Sequence, residues 1–133
     1  MYLIDTNIFL EVLLSRARKE ASKELLRSLR DGRESGLVTD FTIHSIIVIM
    51  DGLDRLRELR TFLLSLEAYR GLRIYPTSIA DEIRAIELTT ETNLDMDDAI
   101  QYASALSTSA EAIVSFDKHF EGLKIQRKEP LMI

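Results

Sequence analysis

The sequence predicts a single α/β domain, residues 1–133, built on a parallel sheet covered on both faces. Three observations carry that prediction. Short apolar runs alternate with helical stretches from one end of the chain to the other, which is the signature of βαβ units. The strand candidates are continuously apolar rather than alternating, as strands buried on both faces are. Finally, 133 residues without repeats, linkers or low-complexity segments fit one core and leave little room for a second.

Taken in order, "MYLID" is a short apolar run ending in Asp5 and reads as a buried strand. "NIFLEVLL" is helical. The segment from Arg18 to Arg30 spaces Ala21, Leu25, Leu26 and Leu29 at helical intervals and stops at "RDGRESG". "GLVTD" is a second strand, closing on Asp40. Residues 42–50 ("TIHSIIVIM") have no decisive period, but Thr42 as a cap and the length through Leu53 favour a helix. Residues 55–69 place Leu56, Leu59, Leu63 and Leu66 on one helical face. "LRIYP" is a strand stopped by Pro76. "TSIADEIRAIEL" opens on Ser78 with Asp81 three residues on, a capping-box pattern, and Ile79, Ile83 and Ile86 form its apolar stripe. Residues 96–108 form a further helix, "AIVSFD" a strand beside Asp117, and "LKIQR" a last short strand.

Composition narrows the function. Hydrophobic residues make up 46% and charged residues 29%, which is globular rather than disordered. The absence of cysteine excludes disulfides, thiolate metal sites and cysteine nucleophiles. No stretch has the uninterrupted apolar length of a membrane span, and the N-terminus lacks the basic flank of a signal peptide, so a cytoplasmic protein is expected. Only four amides occur (Asn7, Asn93, Gln101, Gln126) beside abundant Glu, Lys and Arg, which points towards a thermophilic source. A net charge of −5 argues against holding nucleic acid through a basic surface. It is compatible with holding phosphate through metal ions, since the carboxylates that bind those ions make a chain acidic.

The acids are placed suggestively. Ligands of open parallel sheets bind beyond the carboxyl ends of the strands, and three predicted strands end in or beside Asp5, Asp40 and Asp117. A cluster, Asp95, Asp97 and Asp98, opens the helix in the last third. Asp5, Asp95 and Asp117 are equally well explained as helix or turn caps, and acids in a first turn complement the helix dipole. At about 100° per residue, Asp97 falls roughly 150° from the apolar stripe Ala99–Ala103–Leu106–Ala110 and faces solvent, whereas Asp98 lies roughly 110° away, at the stripe's border. Asp98 is therefore the best functional candidate of the three, with Asp95 at the cap.

"LIDTNIFLE", "LDMDDAIQYASAL" and "IVSFDKHF" together resemble the signatures of the PIN domain family, in order and spacing across almost the whole chain. The resemblance implies a three-layer α/β/α sandwich around a parallel sheet and an acidic, metal-binding ribonuclease site. In small prokaryotic members it also implies the toxin of a toxin–antitoxin pair, with an antitoxin protein as partner and homodimerisation. Residue by residue, Asp5 matches the first acid of the pattern, Asp98 the acid before the apolar helix, and Asp117 the last. Ser115 matches the hydroxyl residue that accompanies it. One element departs: where the family pattern S-x-x-T-x-x-E-L carries glutamate, "TDFTIHSI" has Ser45, which lacks a carboxylate's charge. Asp40 and Asp95 are the nearby acids able to compensate in part.

The resemblance thus implies hydrolysis of RNA phosphodiesters with Mg²⁺ or Mn²⁺, which Asp5, Asp98 and Asp117 are expected to hold, the ion supplying an activated water and charge stabilisation. Without metal the three acids repel and raise one another's pKa. His44 and His119 are more often packing or surface residues than ligands. Arg16, Arg18, Lys19, Lys118 and Lys124 are available to track an RNA backbone, though most such charges simply keep a face solvated. Two other readings compete: a catalytically degenerate PIN-like binding module, motivated by Ser45, and a receiver-like phosphoacceptor domain. The latter is disfavoured because its acid pair follows the first strand.

Overall fold

The computed structural model describes residues 1–133. Five strands, β1 (Tyr2–Ile4), β2 (Gly36–Thr39), β3 (Leu72–Tyr75), β4 (Ala112–Val114) and β5 (Gln126–Lys128), form one all-parallel sheet in the order β3-β2-β1-β4-β5. Between them run helices α1 (Thr6–Leu13), α2 (Lys19–Asp31), α3 (Asp40–Gly52), α4 (Leu56–Leu66), α5 (Ile79–Glu91) and α6 (Met96–Ser107).

Crossover handedness explains the layers. A connection between parallel strands is right-handed. Moving outward from β1 to β2 to β3 therefore puts α1–α4 on one face. The jump from β3 back across β1 to β4 puts α5 and α6 on the other. The alternation within each strand matches: Ile4, Val38 and Val114 join the core with α1–α4, while Leu3, Leu37 and Ile113 join the core with α5 and α6. The order of strands reverses direction between β1 and β4, and a crevice opens at the carboxyl ends of such a pair.

The predicted elements are all present, with three corrections. The cap of α3 is Thr39, whose hydroxyl accepts from the Thr42 N–H at 3.0 Å; Thr42 itself is buried inside the first turn. Asp40 is the first residue of α3 rather than the end of a strand. The isoleucine stripe of α5 is not its buried face. Ile79, Ile83 and Ile86 are 72%, 53% and 58% exposed, and α5 instead buries Asp81, Ala85 and Leu88. The reason is the neighbour: α5 packs on α6, and Ala85 and Leu88 share one buried cluster with the small residues Ala99 and Ala103 of α6. Asp81 tolerates burial there because Tyr75 Oη, Ser107 Oγ and the Ser78 backbone N–H all donate to it, the last completing the predicted capping box.

Candidate active site

Asp5 follows β1, so its backbone stays in the sheet, its N–H donating to Val114 O, while its side chain caps α1 through Thr6 N at 2.8 Å. Ser115 follows β4, the adjacent strand, and its hydroxyl donates to Asp5 Oδ2 at 2.6 Å. The same hydroxyl accepts from Asn7 Nδ2 at 3.1 Å and from the Asp117 N–H at 2.9 Å. One buried serine thus ties the ends of β1 and β4 together and sets the turn that carries Asp117. Arg127 of β5 supports the turn from behind, its Nη1 donating to Ser115 O at 2.9 Å. Asp117 then caps a short 3₁₀ turn, Lys118–Phe120, accepting from His119 N at 2.8 Å.

Asp98 comes from the opposite layer, in the first turn of α6, where Asp95 is the cap and accepts from Asp98 N at 3.0 Å. The Asp98 side chain is only 14% exposed and looks along the core border, while Asp97 is exposed. Asp5, Asp98 and Asp117 line one cleft of about 230 Å³, together with Asn7, Ser45, Gln101 and the exposed Asp97. The first three come from three separate parts of the chain to the crevice between β1 and β4, where Asp98 and Asp117 lie within ligand range of each other and of His119, and the buried Asp5 lies outside that group. Asp40 is not in this group; it accepts from both Thr77 N and Thr77 Oγ1 at 3.0 and 2.9 Å and so fastens the start of α3 to the segment after β3. Asp95 is exposed and faces the site only through its charge.

The electrostatics are those of acids only partly compensated. Burial, then the charges of Asp117, Asp95 and Asp5, push the Asp98 carboxyl up to about 7, with His119 opposing. Asp5 is also raised, by burial and by Asp117, although Ser115, Gln101 and Thr6 all donate to it. A divalent cation suits this arrangement: three carboxylates line one cleft, and His119, beside Asp98 and Asp117, offsets their charge only in part. Asp5 Oδ1 already has two donors, Thr6 N and Gln101 Nε2, whereas Oδ2 has only Ser115 Oγ, so the free acceptor capacity of Asp5 lies on Oδ2.

Gln101 and the threonines around it were not singled out by sequence. Gln101 is 2% exposed in the middle of α6. Its Nε2 donates to Asp5 Oδ1 at 3.0 Å and to Thr42 Oγ1 at 2.7 Å, and its Oε1 accepts from Thr39 Oγ1 at 2.8 Å. Thr6 Oγ1 lies 2.9 Å from Thr42 Oγ1 and extends the network to α1. The available signal was a glutamine one turn beyond Asp98 in an otherwise apolar segment. Of the two histidines, His44 is exposed on α3 and does not line the acid cleft, whereas His119 places Nδ1 3.1 Å from Asp117 Oδ1 and 3.4 Å from Asp98 Oδ2. Arg18 stacks on the Phe116 ring at 4.6 Å, beside Asp117; Arg16, Lys118 and Lys124 are exposed.

The profile of the PIN domain family matches residues 2–125. Comparison with curated protein sequences gives no significant match. Among solved structures, a toxin–antitoxin complex from Klebsiella pneumoniae superposes with a TM-score of 0.74 at 20% identity, over 98% of each chain. VapC20 of Mycobacterium tuberculosis, a toxin that cleaves the sarcin–ricin loop, gives 0.72 at 15% identity over 88% of this chain and 90% of that one. FitAcB of Neisseria gonorrhoeae gives 0.70 at 19% identity over the full length of both. At these identities the likeness establishes the fold. No helix is long and apolar enough to cross a membrane.

Proposed function

From its membership of the PIN domain family, to which this chain belongs, we propose that the protein is a metal-dependent endoribonuclease and the toxin half of a toxin–antitoxin pair. The observation that carries the reading is the convergence of Asp5, Asp98 and Asp117 on one cleft at the β1–β4 crevice. Those three residues are the ones that would hold Mg²⁺ or Mn²⁺, with Asp5 contributing Oδ2. When bound, such an ion supplies an acidified water as nucleophile and neutralises charge on the phosphoryl oxygens.

The protein's own groups do the rest. Ser115 and Gln101 hold the Asp5 carboxylate in one orientation, and the Asp95 cap fixes the turn that presents Asp98. Arg18, Arg16, Lys118 and Lys124 supply cations for an RNA backbone on an otherwise acidic chain. The antitoxin partner is inferred from the likeness to the toxin–antitoxin complex of Klebsiella pneumoniae. A cytoplasmic location and a homodimer belong to the same reading; the exposed isoleucines of α5 supply an apolar face for a second copy.

Cleavage of single-stranded RNA in the presence of Mg²⁺ or Mn²⁺ is the direct test. It is expected to disappear with EDTA and with Asp98→Asn, and activity surviving both would overturn the proposal. One observation favours a second reading, a PIN-like module that binds without cutting: Ser45 lines the cleft at the position where the family pattern has glutamate. That reading predicts no specific metal binding, so calorimetric Mn²⁺ binding that is lost in Asp5→Asn rejects it.

A further inference from the structure

We propose that His119 is a nitrogen ligand to the metal, completing a mixed oxygen–nitrogen donor set that favours Mn²⁺ over Mg²⁺. The inference rests on the metal-dependent reading above and deepens it.

The geometry is specific. One ring nitrogen of His119 and one oxygen from each of Asp98 and Asp117 all lie within 4.8 Å of one another. Two of the separations are 3.1 Å, from Nδ1 to Asp117 Oδ1, and 3.4 Å, from Nδ1 to Asp98 Oδ2. In an octahedral shell with bonds of about 2.1 Å, neighbouring donors stand about 3 Å apart. The imidazole therefore already occupies the place of a neighbouring donor relative to both carboxylates. The backbone builds that placement: Asp117 caps its own 3₁₀ turn by accepting from His119 N, which fixes the histidine two residues on, above its own carboxylate. The ring is 65% exposed and so is not held there by packing.

The donor count gives the contact a role. Ser45 brings a neutral hydroxyl to the cleft, and Gln101 a neutral amide already committed to Asp5, Thr42 and Thr39. Asp98 and Asp117 are then the charged oxygen donors that lie within reach of His119, which enters as a third protein ligand from the open side, while Asp5 stands outside that group at the floor of the cleft. Imidazole nitrogen is a donor for first-row divalent ions, of which manganese holds it most weakly, whereas magnesium selects oxygen and keeps its waters. The competing account of the same distances is an imidazolium paired with two carboxylates, which a metal would have to displace.

The experiment uses the whole chain with Mn²⁺ as probe. Pulsed electron paramagnetic resonance of the Mn²⁺-loaded protein is expected to show coupling to a nitrogen nucleus that disappears in His119→Ala. By calorimetry, His119→Ala is expected to weaken Mn²⁺ binding about tenfold and Mg²⁺ binding by less than about twofold. Bound Mn²⁺ that is lost in Asp98→Asn but shows no nitrogen coupling overturns the ligand assignment alone. So does His119→Ala binding Mn²⁺ as tightly as, or more tightly than, the parent, which is the imidazolium outcome. Failure of the parent protein to bind Mn²⁺ overturns this assignment together with the metal-dependent function.

Discussion

Gln101 Nε2 donates to Asp5 Oδ1 at 3.0 Å across 96 positions of sequence, joining the helix that carries Asp98 to the strand that carries Asp5. The bond makes the positions of the two acids depend on each other. Replacing Gln101 by leucine removes the donor and leaves the buried hydroxyls of Thr39 and Thr42 without their amide partner. A loss of about 1–3 kcal/mol in unfolding free energy is expected, measured by urea denaturation. Cleavage should fall with it, because Asp5 loses one of the two donors that orient Oδ1.

Asp98 links stability to pH. Its folded pKa, about 7, lies above that of an unfolded aspartate, about 3.9. Between these values the folded state holds the proton that the unfolded state has released, so stability falls as pH rises and levels off above about 7. In EDTA the melting temperature should be lower at pH 8 than at pH 5, and Asp98→Asn should flatten that dependence. A variant that abolishes cleavage yet stabilises the metal-free protein at pH 8 is the expected signature; an equal slope in both proteins would count against it.

Metal affinity follows from the same carboxyl. An ion must displace the proton from Asp98, so Mn²⁺ affinity should climb by up to about tenfold per pH unit below 7 and level off above it. Calorimetry in buffers of differing ionisation enthalpy counts the proton released. A pH-independent affinity between 5 and 7 contradicts the assignment of Asp98 as ligand.

Ser45 lines the acid cleft from α3 without contributing charge. Ser45→Glu adds a fourth carboxylate there. Mn²⁺ stoichiometry is expected to rise from one towards two with a faster cleavage rate, at a cost in metal-free stability from the added repulsion. Unchanged stoichiometry would show that α3 does not approach a second metal position.

Ile79, Ile83 and Ile86 leave an exposed apolar face on α5, the surface proposed for a second copy of the chain. Ile83→Lys puts a charge in its middle and should convert a dimer to monomer in light scattering while leaving the fold intact, since Ile83 is already half exposed. A parent protein that is monomeric at micromolar concentration removes that assignment.

Much of the fold was legible because strands buried on both faces and helices with one apolar face leave different periods in the sequence. What misled was α5, where two helical stripes overlap. Ile79, Ile83 and Ile86 are the more hydrophobic, yet Asp81, Ala85 and Leu88 are the buried set. Hydrophobicity ranks side chains one at a time, whereas close packing against the alanines of α6 selects small ones, and no single-helix pattern contains the partner's shape. The cap of α3 shifted from Thr42 to Thr39 for a related reason: both are threonines three apart, and only the bond between them says which accepts.

The sequence by itself determined the alternation of elements, the family motifs, the acids at strand ends and the ranking of Asp98 above Asp97, because each is written in local spacing. Only the tertiary structure decided which acids meet. Asp40 also closes a predicted strand, but Thr77 takes up its carboxylate. Asp5 and Asp117 meet Asp98 because the strand order reverses between β1 and β4. Gln101, Ser115 and His119 acquire their roles the same way. A hydrogen bond such as those of Asp5 with Gln101 and Ser115, 96 and 110 positions away, depends on crossover handedness and register, and neither is recorded in the spacing of either residue.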